Sequence, residues 1–175
     1  MHQLFTWKED PHSYYEVGQP KTLNIKWSVN VSFDEQKLTC TAMLLFDRSG
    51  EVFLDTRGLN IVRVEDILGN ELKYELGDPD LILGSRLSVQ VPSSDPRIVI
   101  DYEVGSDASG LQWLCPEHTA GKIHPFLYTQ GQEIHARSYL PCQDTPSIRF
   151  TFSATLSVPC ALRGIMAADK FIDRE

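Results

Sequence analysis

An all-β fold follows from three features of this 175-residue sequence. Apolar and polar residues alternate with period two through one segment after another, turn residues separate those segments roughly every ten positions, and no stretch sustains a helical period. Short strands with regular turns predict a sandwich-like, layered arrangement of antiparallel or mixed sheets. The length suits one domain with a sizeable core, so residues 1–175 read as a single β domain whose residues 1–20 form a lead-in segment.

The clearest strand runs through Leu23, Ile25, Trp27, Val29, Val31 and Phe33, alternating with polar residues. After the turn residues Asp34, Glu35 and Gln36, a second run through Leu38, Cys40, Ala42, Leu44 and Phe46 completes an expected antiparallel hairpin. Asp47-Arg48-Ser49-Gly50 turns the chain into a short buried strand, Val52-Phe53-Leu54-Asp55, which Arg57-Gly58 breaks. Further strands are expected through Leu59, Ile61 and Val64, through Leu72, Tyr74 and Leu76, through Leu87, Val89 and Val91, and through Ile98, Ile100, Tyr102 and Val104. Residues 105–121 change character and read as irregular, and a long irregular passage in a β domain is more often functional than idle. Beyond them, Pro141 and Pro146 bound a rigid non-helical corner, because proline fixes φ and removes a donor. Ile148, Phe150, Phe152, Ala154, Leu156 and Val158 then alternate as a half-buried strand, and Met166-Ala167-Ala168 fits a last one. The end carries no terminal feature, so a chain cut from something longer is expected.

Composition excludes some classes of function. A formal net charge of -8 lacks the basic face that nucleic acid requires and disfavours an anionic membrane surface. No apolar run reaches the roughly 20 residues of a spanning helix, and residues 1–7 lack the form of a signal peptide, which reads as a cytoplasmic protein. The four cysteines form no CxxC pair, and Cys40 and Cys160 read as buried thiols. The five histidines show no HxH, HxxxH or HExxH spacing, so local structure presents no metal-ligand pair, and no metal ligands are assigned. A nucleophile at Cys142 requires a base that only the fold can bring, with His135 the candidate, and the flanking prolines point to a structural corner instead. Glu133 and Asp144 read as solvated acids. No catalytic residue is assigned to the chain. The stronger candidates are Gln130, Gly131 and Gln132: side-chain amides donate and accept, which suits a peptide backbone, and glycine permits close approach. Capping of a turn fits the same three residues.

The run from Leu111 to Lys122 (LQWLCPEHTAGK), then His124-Pro125, Gln130-Gly131-Gln132, Arg137 and the run Leu140-Pro141-Cys142-Gln143-Asp144-Thr145-Pro146-Ser147 resembles the N-terminal domain of the gluzincin zinc aminopeptidases, in the leukotriene A4 hydrolase branch. Weaker similarity extends back through Leu54-Asp55-Thr56 and the first hairpin, over nearly the whole chain. The resemblance implies a saddle-like all-β domain packed on a separate catalytic domain that carries HExxH and the zinc. On that reading the chain itself holds no cofactor and no peptidase activity. Its partners are a peptide substrate and its own downstream catalytic domain. The resemblance also implies that Gln130, Gly131 and Gln132 face the substrate, with Gln132 touching it; Gly131 and Glu133 stand where that branch commonly has other small residues. The alternative is a free-standing β-sandwich binding module with no catalytic partner.

Overall fold

Three sheets, all built from the expected strands and two further ones, form the molecule. The computed structural model describes residues 10–170 and Ile172. The first nine residues of the expected lead-in, His2 among them, and the charged end at Glu175 lie outside the described residues. The first hairpin pairs β1 (Thr22–Ser32) with β2 (Lys37–Phe46) antiparallel, and Gln36 closes its turn at φ 49. Next in the chain come β3 (Gly50–Thr56), β4 (Leu59–Asp66), β5 (Tyr74–Leu76), β6 (Ser85–Val91) and β7 (Arg97–Val104). Then follow β8 (Leu111–Leu114), β9 (Phe126–Thr129) and β10 (Thr151–Ser157). A five-stranded sheet takes the order β10-β1-β2-β7-β4, in which only the β1–β10 pair is parallel. β3, β6 and β5 form an antiparallel second sheet, and β8 pairs antiparallel with β9.

Alternation decides which side chains enter the core. Ile25, Trp27 and Val29 of β1 are buried on the same face as Cys40, Ala42 and Leu44 of β2 and Ile98, Ile100 and Tyr102 of β7. The register sets Leu44 opposite Ile98, Ala42 opposite Ile100 and Cys40 opposite Tyr102, so large and small residues interlock. Each large aliphatic buried this way contributes about 1.5–3 kcal/mol. Val52 and Leu54 of β3 and Leu87 and Val89 of β6 supply core residues from the second sheet.

Several expectations change. Leu23 is exposed, because an irregularity between Thr22 and Asn24 shifts the register and puts Thr22 inside instead. A similar shift between Ile61 and Arg63 brings Val64 inside, as its place in the expected strand requires, and leaves Val62 outside. The strand expected from Ile148 begins at Thr151, and it is exposed on both faces along most of its length, with Phe152 40% exposed. It sits at the sheet edge with β1 on one side, so only Ile148, ahead of it, is buried. No strand forms at 166–168. Cys160 is exposed while Cys142 is buried, and all four thiols are free. The passage read as irregular over 105–121 contains β8, which pairs with β9 just beyond it in a short ladder without long alternation.

Candidate functional site

The 130–136 loop leaves β9 and folds back on itself. Gln130 N–H donates to the Gly110 carbonyl (2.9 Å), and the Gly131 carbonyl accepts from His135 N–H (2.9 Å) and Ala136 N–H (3.2 Å). Gly131 is required by contact: a Cβ there would lie 2.8 Å from the Tyr139 hydroxyl. Gly110 is equally confined, with the His135 carbonyl 2.7 Å from where its Cβ would stand. Tyr139 ties the loop to the core. Its ring stacks on Trp27 at 6.0 Å, its carbonyl accepts from Tyr102 Oη (3.0 Å), and Tyr102 Oη in turn accepts from Trp27 Nε1 (2.7 Å).

Behind the loop, the 141–146 corner is fastened by buried polar groups. Arg137 is fully buried; its Nε donates to Asp144 Oδ2 (2.9 Å), Nη1 to the Leu83 carbonyl (2.9 Å) and Nη2 to the His12 carbonyl (2.7 Å). Asp55 of β3, also fully buried, accepts from Ser13 Oγ (2.6 Å), Tyr14 N–H (2.8 Å) and Asp144 N–H (2.8 Å), with Arg137 Nη1 3.4 Å away. Burial pushes the Asp55 carboxyl up, against those bonds and the guanidinium. Gln143 completes the fastening, accepting from Thr22 N–H (2.9 Å) and donating to the Pro20 carbonyl (2.8 Å). A bridge between Asp55 and Cys142 joins the corner to β3 by backbone. Cys142 is not a nucleophile poised for chemistry. Burial first, then the Asp144 and Asp55 carboxylates, push its thiol well above the ordinary range, which suppresses the thiolate.

Loop, corner and β1 enclose an open cavity of about 730 Å³. Ile25, Trp27, Ile148, Phe150 and Phe152 give it an apolar floor, Asp10, Glu133 and Asp144 add acidic groups beside His12, and no lysine or arginine lines it among the described residues. Burial raises the Asp10 carboxyl, but hydrogen bonds from His12 and Thr145 and the His12 charge outweigh it and hold the group below its ordinary value. Of the three amide-loop residues, Gly131 and Gln132 line the cavity; Gln130 does not. Neither glutamine side chain hydrogen-bonds another described residue. The Gln132–Glu133 peptide is cis. Sequence reasoning missed Asp55 and Arg137 as a buried pair. The signal was an Asp in a buried strand and an Arg beside a proline corner, 82 positions apart and joined only by the fold.

The described residues do not fit a zinc centre. No three His, Cys, Asp or Glu side chains converge among them, and the pair Cys115 Sγ–His118 Nδ1 at 3.4 Å has no third ligand. No described helix is long and apolar enough to cross a membrane.

A model of the peptidase M1 N-terminal domain matches residues 14–167, and the chain belongs to that family. Its sequence is similar to leukotriene A-4 hydrolase of Xenopus laevis, 36% identical over 171 residues, covering 91% of this chain and 27% of that protein. It is similar also to leucine aminopeptidase 2 of Yarrowia lipolytica, 35% identical over 83% of this chain and 23% of that protein. Among solved structures it is similar to yeast LTA4 hydrolase in complex with bestatin, with a TM-score of 0.78 and 26% identity over 89% of this chain and 25% of that one. An M1 zinc metallopeptidase from Deinococcus radiodurans shares the fold, with a TM-score of 0.58 at 16% identity over 81% of this chain and 33% of that one. The chain thus spans about a quarter of the length of the curated relatives it matches.

Proposed function

We propose that the chain is the N-terminal β domain, over residues 1–175, of a zinc-dependent aminopeptidase that removes N-terminal amino acids from peptides. Its 130–132 loop forms part of the wall of the substrate cleft. The observation that carries this reading is the placement of Gly131 and Gln132 at the rim of the cavity, with the Gln132 amide exposed and engaged by no described residue. An amide both donates and accepts, so it can pair with a peptide group of either polarity. Glu133 and Asp10, the latter paired with His12, line the cavity without a lysine or arginine among the described residues, which favours a ligand with a cationic end such as a peptide N-terminus.

On this reading the zinc and the catalytic groups belong to sequence outside these residues, supplied by the domain's own catalytic partner, and the chain alone does no chemistry. Its partners are that domain and the peptide, without nucleic acid or membrane, and the enzyme works in the cytoplasm. The test is kinetic. In a polypeptide where this chain is continued by the catalytic sequence of its family, Gln132→Ala should remove a hydrogen bond of about 0.5–1.5 kcal/mol, roughly a two- to twelvefold loss in kcat/KM. Unchanged kinetics with Gln132→Ala would take that residue out of the site.

A further inference from the structure

Arg57, at the break between β3 and β4, carries a charge that nothing beside it balances. Three described arginines are partly or wholly buried: Arg97 pairs with Asp95, Arg137 with Asp55 and Asp144, and Arg57 has no carboxylate within ion-pair distance among the described residues. Arg57 Nη2 donates to the Ile82 carbonyl, Nη1 donates to Ser109 Oγ (3.3 Å) and lies 3.4 Å from His135 Nδ1, and the buried Nε has no partner. Burial first, then repulsion from Arg137, lowers the pKa of the guanidinium, as expected of a cation without its counter-charge. Asp144 and Asp80 attract it from farther off, but each is engaged elsewhere. Asp144 holds Arg137, and Asp80 accepts the N–H groups of Ile82 and Leu83. Beside the guanidinium, Ser109 Oγ and His135 Nδ1 stand 2.8 Å apart, with Ser109 on an exposed turn.

A guanidinium, a hydroxyl and an imidazole gathered at one point, with no acid among them, make a donor set for a tetrahedral oxyanion. We propose that Arg57, Ser109 and His135 form a binding site for phosphate or a phosphate monoester. None of the three lines the cavity beside Gln132, so the site is separate from it and stands whether or not the aminopeptidase reading does. It is nonetheless joined to that loop at both ends: Ser109 precedes Gly110, whose carbonyl holds Gln130, and His135 N–H holds the Gly131 carbonyl. An anion bridging Arg57 to Ser109 and His135 braces the loop from outside the cavity.

The test is a titration of the isotopically labelled chain with inorganic phosphate at constant ionic strength, following the backbone amide resonances of Arg57, Ser109, Gly110 and His135. Saturable shifts at these four positions are expected, with acetate at equal concentration producing much smaller ones. Arg57→Gln should weaken phosphate binding about tenfold or more, the loss of a charge-assisted contact. Phenyl phosphate separates the two sources: saturation by phosphate alone assigns the free ion, and saturation by both assigns an ester, either of which supports the site. Shifts that rise linearly without saturating, or that persist unchanged in Arg57→Gln, mean an adventitious ion only and overturn the proposal. Should Arg57→Gln fail to fold, Ser109→Ala in its exposed turn serves instead. It should weaken binding severalfold, and unaltered affinity in that variant would equally overturn the site.

Discussion

Gly131 and Gln132 adjoin in sequence but answer to different forces. Gly131 is fixed by space, since the Tyr139 hydroxyl occupies the volume a Cβ needs. Gly131→Ala should therefore destabilise the domain by about 1–3 kcal/mol through overpacking, measurable by urea denaturation. Gln132 is fixed by nothing in the described chain, so its truncation should leave stability unaltered and register only when a ligand is present. The spacing in QGQ did not distinguish Gln130 from Gln132; the turn does, by directing one along β9 toward Gly110 and the other to the cavity. The thiols separate in the same way. Burial pushes Cys40 up to about 12 and Cys142 well above its ordinary range, while Cys115 and Cys160 are exposed. Alkylation of the native protein should modify Cys115 and Cys160 rapidly and reach the other two only on unfolding, as mass spectrometry of the labelled peptides would record.

Arg137 joins elements that the sequence keeps far apart: the lead-in at His12, β3 through Asp55, the Leu83 carbonyl and the proline corner through Asp144. Arg137→Met should cost about 3–5 kcal/mol, because it leaves the buried Asp55 carboxylate without its cation. Adding Asp55→Asn should recover part of that loss. Equal denaturation midpoints for wild type and Arg137→Met would refute the role given to the pair. The strands themselves were legible before the structure. Alternation located β1, β2, β6 and β7, since each has one face on the core and one turned away. It misjudged β10, where the same alternation of apolar and polar residues occurs with the strand exposed on both faces. Periodicity reports that a strand has two unlike faces; what covers the apolar one is a tertiary fact. Leu23 was misjudged for a different reason, a register shift that no local pattern announces. The Asp55–Arg137 pair was illegible because sequence spacing carries no information about contacts between β3 and a corner beyond β9.

At the scale of the whole molecule, the five-stranded sheet, its three-stranded companion and the β8–β9 pair form a rigid base from which one loop reaches the edge of an apolar cavity. The core fixes the base; the Trp27–Tyr102–Tyr139 relay and the Arg137 knot transmit that rigidity to residues 130–146. The chain belongs to the peptidase M1 N-terminal family. The most direct test of the central claim is kcat/KM for release of an N-terminal residue by the zinc-loaded polypeptide that joins this chain to the family's catalytic sequence, with and without Gln132→Ala. The expected result is a roughly two- to twelvefold loss with an unaltered melting temperature. Equal kcat/KM in the two proteins would contradict the placement of Gln132 against the substrate.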